Sequence, residues 1–343
     1  MFKRISNILT QGFPPKPTFT ENHLGDLSDK VFIVTGGYSG VGYQLSKLLY
    51  AKNAIVYIAG RREDAGQDAI KSIKGAHPNS KGRLEFLLLD LADLSTIKAG
   101  ANAFLEKETR LDVLFNNAGI MRLPKKAPTR SKQVGRILSL VTEAVTDHEI
   151  MMAVNCFGPY LFTKLLHPVI ESTAKSSPAG SVRVIWLGSL MIQLMAPKGG
   201  MDLDNLDYKK KWLDEYTRYS ASKAGNLFIG SEWARRDADN GILHLTVNPG
   251  NLKTPLQRDV SALEYYSMAP ALHDPIYGAY SELFAGLSPD VKPEHSGQYV
   301  MPWGRFGPTR PDVDKSLSPQ DGEDMSKAGK FFEYCDNQTK SFA

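Results

Sequence analysis

The chain has 343 residues, 42% of them hydrophobic, enough to bury the core of one large domain. Its 41 basic and 37 acidic residues leave a surplus of only +4, which does not call for nucleic acid or an anionic membrane as partner. Cys156 and Cys335 are too few for a disulfide framework, no metal-type spacing is present (His148-Glu149 lacks a second histidine at Met152), and no apolar run reaches the ~18 residues of a membrane span.

The opening residues MFKRISNILTQGF place Phe2, Ile5, Ile8 and Leu9 at helical spacing, with Lys3 and Arg4 and no acid before Glu21. A targeting or membrane-surface helix has this pattern, and so does a short helix docked on the domain's own surface. From residue 31 strands and helices alternate. The strands are KVFIVTGG, AIVYIAG, LEFLLLDL, LDVLFNNAG, SVRVIWLGS and LHLTVNPG. Between them run GYQLSKLLYAKN, AGQDAIKSIKGA, LSTIKAGANAFLEKE, a long helix over about 147–174, and YSASKAGNLFIGSEWARRD. Such alternation with near-continuous apolar strands predicts an α/β, Rossmann-type doubly wound parallel sheet with helices on both faces, in a single domain. The expected layout is an N-terminal extension over 1–28, the dinucleotide-binding domain over 29–287, and a C-terminal extension over 288–343 wrapped on the same domain. Substrate loops are expected at about 190–215 and 255–280.

Between the first strand and its helix stands TGGYSGVG, with Gly36, Tyr38, Ser39, Gly40, Val41 and Gly42. Glycines there permit a tight turn and close backbone approach, and the helix N-terminus offers free N–H groups to a pyrophosphate. The second strand ends IAGRRED. Gly60 takes the place where an acid would accept from a ribose 2′-OH, and leaves space there. Arg61, with Arg62 beside it, suits a 2′-phosphate, so NADP(H) is the expected cofactor.

In TRYSASKAGN, Tyr219 precedes Lys223 by four residues, one helical face apart. A free phenol has a pKa of ~10, and a cation within ~4–6 Å favours its ionised form. That tuning would make the tyrosine an acid/base for moving a proton at a substrate oxygen. The small residues Ser220, Ala221, Ser222, Ala224 and Gly225 read as room for cofactor and substrate over the helix face. Cys156 reads as a small buried hydrophobe.

TGGYSGVG, NNAG (116–119), YSASK (219–223) and PGNLKT (249–254), in this order over about residues 29–260, resemble the short-chain dehydrogenase/reductases. PPKPTFT (14–20), GGMDLDNLDYKKKW (199–212) and GQYVMPWGR (297–305) make the chain most like the fungal branch akin to retinol dehydrogenases. The resemblance implies Tyr219 as acid/base and Lys223 as the group that lowers its pKa and binds the nicotinamide ribose. It implies Ser189 as the group orienting the substrate oxygen and Asn155 as holder of a relay water. Asp90 and Leu91 would border the adenine, while Asn117, Ala118, Gly119, Pro249, Gly250, Leu252 and Thr254 would line the cofactor cleft.

The implied activity is NADP(H)-dependent interconversion of a hydroxyl and a carbonyl on a small, apolar molecule in the cytoplasm. A catalytically silent dinucleotide-binding regulator and a carbon–carbon double-bond reductase are the alternatives. One departure stands out. The 35 residues from 120 to 154 are longer than the family's usual span, and the surplus falls in VGRILSLVTEAVT, 134–146. This segment reads either as an added helix, with Val134, Ile137, Leu138, Val141 and Val145 on one face, or as a gene-model artefact. In LQRDVSALEYYSMAPALHDPIYGAY, Leu263, Tyr265, Tyr266 and Met268 read either as a cap over an apolar pocket or as ordinary packing.

Overall fold

A computed structural model describes residues 2–121, 148–257 and 269–343. The segment 134–146 and the quartet Leu263, Tyr265, Tyr266 and Met268 lie outside the described residues.

Helix α1 (Phe2–Gly12) precedes β1 (Val31–Thr35), α2 (Gly40–Ala51), β2 (Ile55–Gly60), α3 (Glu63–Ala76), β3 (Arg83–Leu88), α4 (Leu94–Leu105) and β4 (Val113–Asn116). A helical turn at Ile150–Met152 passes through a π turn, Ala153–Phe157, into α5 (Gly158–Lys175). Then follow β5 (Val182–Leu187), α6 (Met191–Leu194), α7 (Glu215–Arg236), β6 (Ile242–Val247), α8 (Pro275–Leu287), β7 (Tyr299–Met301), β8 (Arg305–Phe306), α9 (Pro311–Asp314) and α10 (Lys327–Thr339). The sheet order is β3-β2-β1-β4-β5-β6-β7-β8, parallel except for the β7–β8 hairpin. Six of these strands are the ones read from the sequence. β7 and β8 come from GQYVMPWGRF, whose short apolar run is too brief to stand out as a strand.

Alternate residues of β1 feed opposite cores. Ile33 packs with Phe104, Leu114, Phe162 and Trp186 under α4, α5, α7 and α10. Phe32 and Val34 pack with Leu49, Phe115 and Phe284 under α2, α3 and α8. Burial on both faces explains why the strands read as continuous apolar runs. Strand order reverses between β1 and β4, and an open α/β sheet forms its ligand crevice at that switch point.

Helix α7 is buried almost all round, so its composition follows its neighbours. A Cβ on Gly225 would stand 2.7 Å from Cys156 Sγ, and one on Gly230 would stand 2.9 Å from Trp186. The small residues after Tyr219 therefore serve close packing against protein, not open space for ligand as their size alone implied. Asp214 starts the helix by accepting from Thr217 N at 3.0 Å, and Arg235 and Arg236 sit in its last turn, where cations oppose the dipole. Just before Tyr219, the buried Arg218 donates to the buried Glu149 at 2.6 Å and to Leu213 O, with Trp212 under its guanidinium.

This pair generates a stability prediction. Arg218→Met strands the Glu149 carboxylate in the core and should cost ~3–5 kcal/mol. At this chain length that is a fall of roughly 4–7 °C in Tm. Adding Glu149→Leu should recover much of the loss. Thermal unfolding followed by circular dichroism checks both, and an unchanged Tm for Arg218→Met would contradict the account.

Candidate active site

The glycine turn is strained only where glycine permits it. Gly36 and Gly40 have φ of +67° and +55°. A Cβ on Gly42 would stand 2.6 Å from both Asn117 Nδ2 and Gly36 O. Asn117 uses that approach to donate to Thr35 O at 2.7 Å, and Ala118 N donates to Thr35 Oγ1 at 2.9 Å, so the ends of β1 and β4 are tied together. Ser39 is the N-cap of α2 and makes no side-chain cap bond, which leaves its exposed hydroxyl at the helix N-terminus. Val41 packs where Gly278 of α8 comes close, and Thr254 lies against Gly40.

At the end of β2, the space beside Gly60 is filled. A Cβ there would stand 2.2 Å from Tyr38 Cε1, so the tyrosine ring lies on the glycine, and Arg62 sits 5.6 Å above that ring. The room that Gly60 implied in the sequence therefore belongs to Tyr38. Arg61 and Arg62 are exposed. Asp90 follows β3 and accepts from Ala92 N at 3.0 Å. Leu91 is buried in the core, its carbonyl facing Gly158.

Ser189 follows β5 and lies within hydrogen-bond reach of the Tyr219 phenol. Lys223 Nζ stands 5.8 Å from the centroid of the same ring and donates to Leu187 O at 2.9 Å. Asn226 Nδ2 donates to that carbonyl too, at 2.8 Å. Asn155 sits in the π turn, which swings its amide toward the strand ends. Its Nδ2 donates to Ile120 O at 3.0 Å and to Ser222 Oγ at 2.9 Å, and its Oδ1 accepts from Ile120 N at 2.9 Å. A Cβ on Gly119 would lie 3.1 Å from both Asn155 Oδ1 and Lys223 Nζ, so this glycine lets the two approach. Cys156 is buried, as its reading required, and its Sγ donates to Ser222 O.

The electrostatics differ from the simple pairing of phenol and ammonium. Burial pushes Tyr219 up to about 12, with the Ser189 hydrogen bond pulling back, and no lowering by Lys223 accompanies it. The lysine loses its proton first: desolvation brings Lys223 down to about 8, so it is neutral over the range where the phenol would titrate and acts as a cation only on a phenolate formed near neutral pH. At neutral pH the site thus holds a neutral phenol beside a mostly protonated amine. A further group escaped the sequence reading. Glu282 of α8 is fully buried with neither carboxylate oxygen partnered by the described residues. Burial raises it to about 8, against the pull of Lys223. The spacing of Gly278, Glu282 and Gly286 on one helix face was the available signal.

On the far side, Pro249 is half-buried and Gly250, with φ of +94°, donates its N–H to Asn248 Oδ1 at 3.0 Å. Leu252 is buried and bridges to His273. Helix α1 docks here: Gln11 is fully buried, and Asn248 Nδ2 donates to its Oε1 at 2.9 Å. The docked reading of the N-terminal segment is the one this contact fits.

Comparison with known proteins gives concordant matches. The short chain dehydrogenase family model matches residues 30–189. A short-chain dehydrogenase/reductase of Phomopsis amygdali is 43% identical over 99% of this chain and 98% of its own length. The short-chain dehydrogenase/reductase bet4 of Neocamarosporium betae is 42% identical over 98% and 94%. Among solved structures, the Pseudomonas aeruginosa RhlG/NADP complex has a TM-score of 0.58 at 21% identity, covering 80% of this chain and 95% of that one. The 3-ketoacyl-(acyl-carrier-protein) reductase of Brucella melitensis with NADH has a TM-score of 0.56 at 22% identity, covering 80% and 97%.

The Lys223 value sets a pH prediction. A lysine whose pKa is depressed to about 8 loses its charge as pH rises through that value, so activity that needs the cation should fall above about pH 8. Glu282 titrates over the same range and its ionised form favours the cation, so the limb belongs to the pair. Glu282→Gln should move the midpoint down. A pH profile of kcat/KM that stays flat to pH 10 would contradict this.

Proposed function

The chain belongs to the short-chain dehydrogenase/reductase family, and from that membership we propose that it is an NADP(H)-dependent oxidoreductase interconverting a hydroxyl and a carbonyl on a small, apolar organic molecule, with Tyr219 as general acid/base. The observation that carries the reading is the meeting of Ser189, Tyr219 and Lys223 at the end of β5, beside the switch point of the sheet. The turn supports a dinucleotide: positive φ at Gly36 and Gly40, a backbone cradle at Gly42 that a Cβ would fill, and the Ser39 hydroxyl at the start of α2. Gly36–Gly42 and Ser39 would hold the pyrophosphate, Asn117–Gly119 and Pro249–Thr254 the nicotinamide side, and Asp90 the adenine side. When bound, the nicotinamide supplies the hydride.

In the reductive direction Tyr219, protonated at neutral pH, gives its phenolic proton to the substrate oxygen as carbon is reduced. The Ser189 hydroxyl, free to turn between the phenol and the substrate oxygen, donates where negative charge develops. Lys223 then faces the phenolate left behind and stabilises it. Both Nδ2 hydrogens of Asn155 are used within the protein, which leaves one acceptor position on Oδ1 for a relay water that returns a proton. The intact Ser189–Tyr219–Lys223 set speaks against a silent binding protein.

For the cofactor, Arg61 supplies a guanidinium for a 2′-phosphate, and Tyr38 occupies the place a competing carboxylate would need.

Assays of the purified protein with NADPH and NADH over aldehydes, ketones and enones test the reading. Carbonyl reduction with NADPH preferred is expected, and turnover of enones alone or of nothing would overturn it. Arg61→Ala should reduce the preference for NADPH by about one to two orders of magnitude in kcat/KM. Gly60→Asp should fail to create an NADH enzyme unless Tyr38→Ala makes room. A starting preference for NADH would refute the role of Arg61.

A further inference from the structure

Helix α1 brings one side chain into the interior beside the site. Gln11 is fully buried, and its amide is committed at both ends. Nε2 donates to Asn7 Oδ1 at 2.9 Å within α1. Oε1 accepts from Asn248 Nδ2 at 2.9 Å and faces the Tyr299 hydroxyl at 3.4 Å. Each of these partners leads to a different loop of the site. Asn248 directly follows β6, and its Oδ1 accepts from Gly250 N, so Gln11 and Gly250 together fix which way the Asn248 amide points. That amide therefore sets the first turn of the Pro249–Thr254 loop. Tyr299 sits on β7 and its hydroxyl lies 3.2 Å from Ser189 O. Its single proton is shared between Ser189 O and Gln11 Oε1, both longer than the usual O–H···O distance.

The helix is held in place by more than this glutamine. Asn7 Nδ2 donates to Pro308 O at 2.9 Å, and Arg305 of β8 donates to Thr10 O at 2.7 Å, which satisfies a carbonyl in the last turn of α1. Gln193, four residues after Ser189, donates to the same Pro308 carbonyl at 3.1 Å. The N-terminal helix, the β7–β8 hairpin and the segment after Ser189 thus share one hydrogen-bonded seam. A buried amide that faces two polar partners is costly to remove, because each partner then stands unsatisfied.

We infer that Gln11 is a positioning residue for the reaction, a bridge from the N-terminal helix that holds the Pro249–Thr254 loop through Asn248 and the Ser189 backbone through Tyr299. It touches neither substrate nor cofactor. The inference rests on the reading of Ser189 and Tyr219 as reacting groups and of 249–254 as the nicotinamide-side loop.

The two arms make separable predictions. Gln11→Leu keeps the bulk but accepts no hydrogen bond. It should weaken NADPH binding, measured by nucleotide fluorescence titration, by roughly five- to tenfold, and lower kcat with it. Tyr299→Phe cuts only the Ser189 arm, so kcat should fall by a similar factor while NADPH affinity stays at the wild-type value. Asn248→Ala removes the same link from its other end and should weaken NADPH binding by a similar factor, and the double variant with Gln11→Leu should lose little more than either single change, whereas a merely space-filling Gln11 would give additive losses. Wild-type affinity and kcat in folded Gln11→Leu would overturn the bridge. If Gln11→Leu does not fold, the pair Asn248→Ala and Tyr299→Phe decides: wild-type NADPH binding in Asn248→Ala, or unchanged kcat in Tyr299→Phe, overturns it. Absence of any carbonyl turnover by the wild-type chain would instead sink the functional reading, and the affinity measurements stand apart from that result.

Discussion

A buried ammonium organises the centre of this protein. Lys223 is 2% exposed, and a cation so far from water is tolerable only where polar groups converge on it. The Leu187 carbonyl at the end of β5 supplies the acceptor, and the missing side chain of Gly119 lets the Asn155 amide come close. The π turn at Ala153–Phe157 is what carries Asn155 there, and Cys156 in the same turn fits against Gly225 of the lysine's own helix. Strand end, π turn and glycine-bearing helix are therefore one arrangement. Desolvation also gives the lysine its chemistry, since it lowers the pKa into the range where the charge responds to pH.

The same burial decides the state of Tyr219. With its phenol pushed upward and Ser189 within hydrogen-bond reach, Tyr219 is protonated at neutral pH, and the Lys223 ammonium stands 5.8 Å from its ring. Glu282 of α8, raised by the same burial, lies within electrostatic reach of Lys223. Three buried groups shifted by one dry environment mark this cleft as a candidate reaction centre on physical grounds.

Much of this was legible in the sequence because it is local. The alternation of apolar strands with helices predicted the doubly wound sheet, and the spacing of Tyr219 and Lys223 placed both on one helical face. What escaped depends on contacts across the fold. Gly60 read as open space because nothing in IAGRRED reveals that Tyr38, on a turn 22 positions earlier, lays its ring there. The small residues of α7 read as room for ligand because their size does not tell whether protein or ligand fills the gap. Gln11 meets Asn248 across 237 positions, and a glutamine in an amphipathic N-terminal stretch carries no mark of burial. β7 and β8 are too short for periodicity to register.

Proton donation by Tyr219 is the central claim, and one substitution isolates it. Tyr219→Phe keeps the ring that packs beside Lys223 and removes only the hydroxyl. NADPH affinity by fluorescence titration and turnover of one carbonyl substrate should be measured on the same preparation. The account predicts affinity within about twofold of wild type, the ring's packing being retained, and turnover lower by ~10²–10⁴. Turnover close to wild type would contradict it.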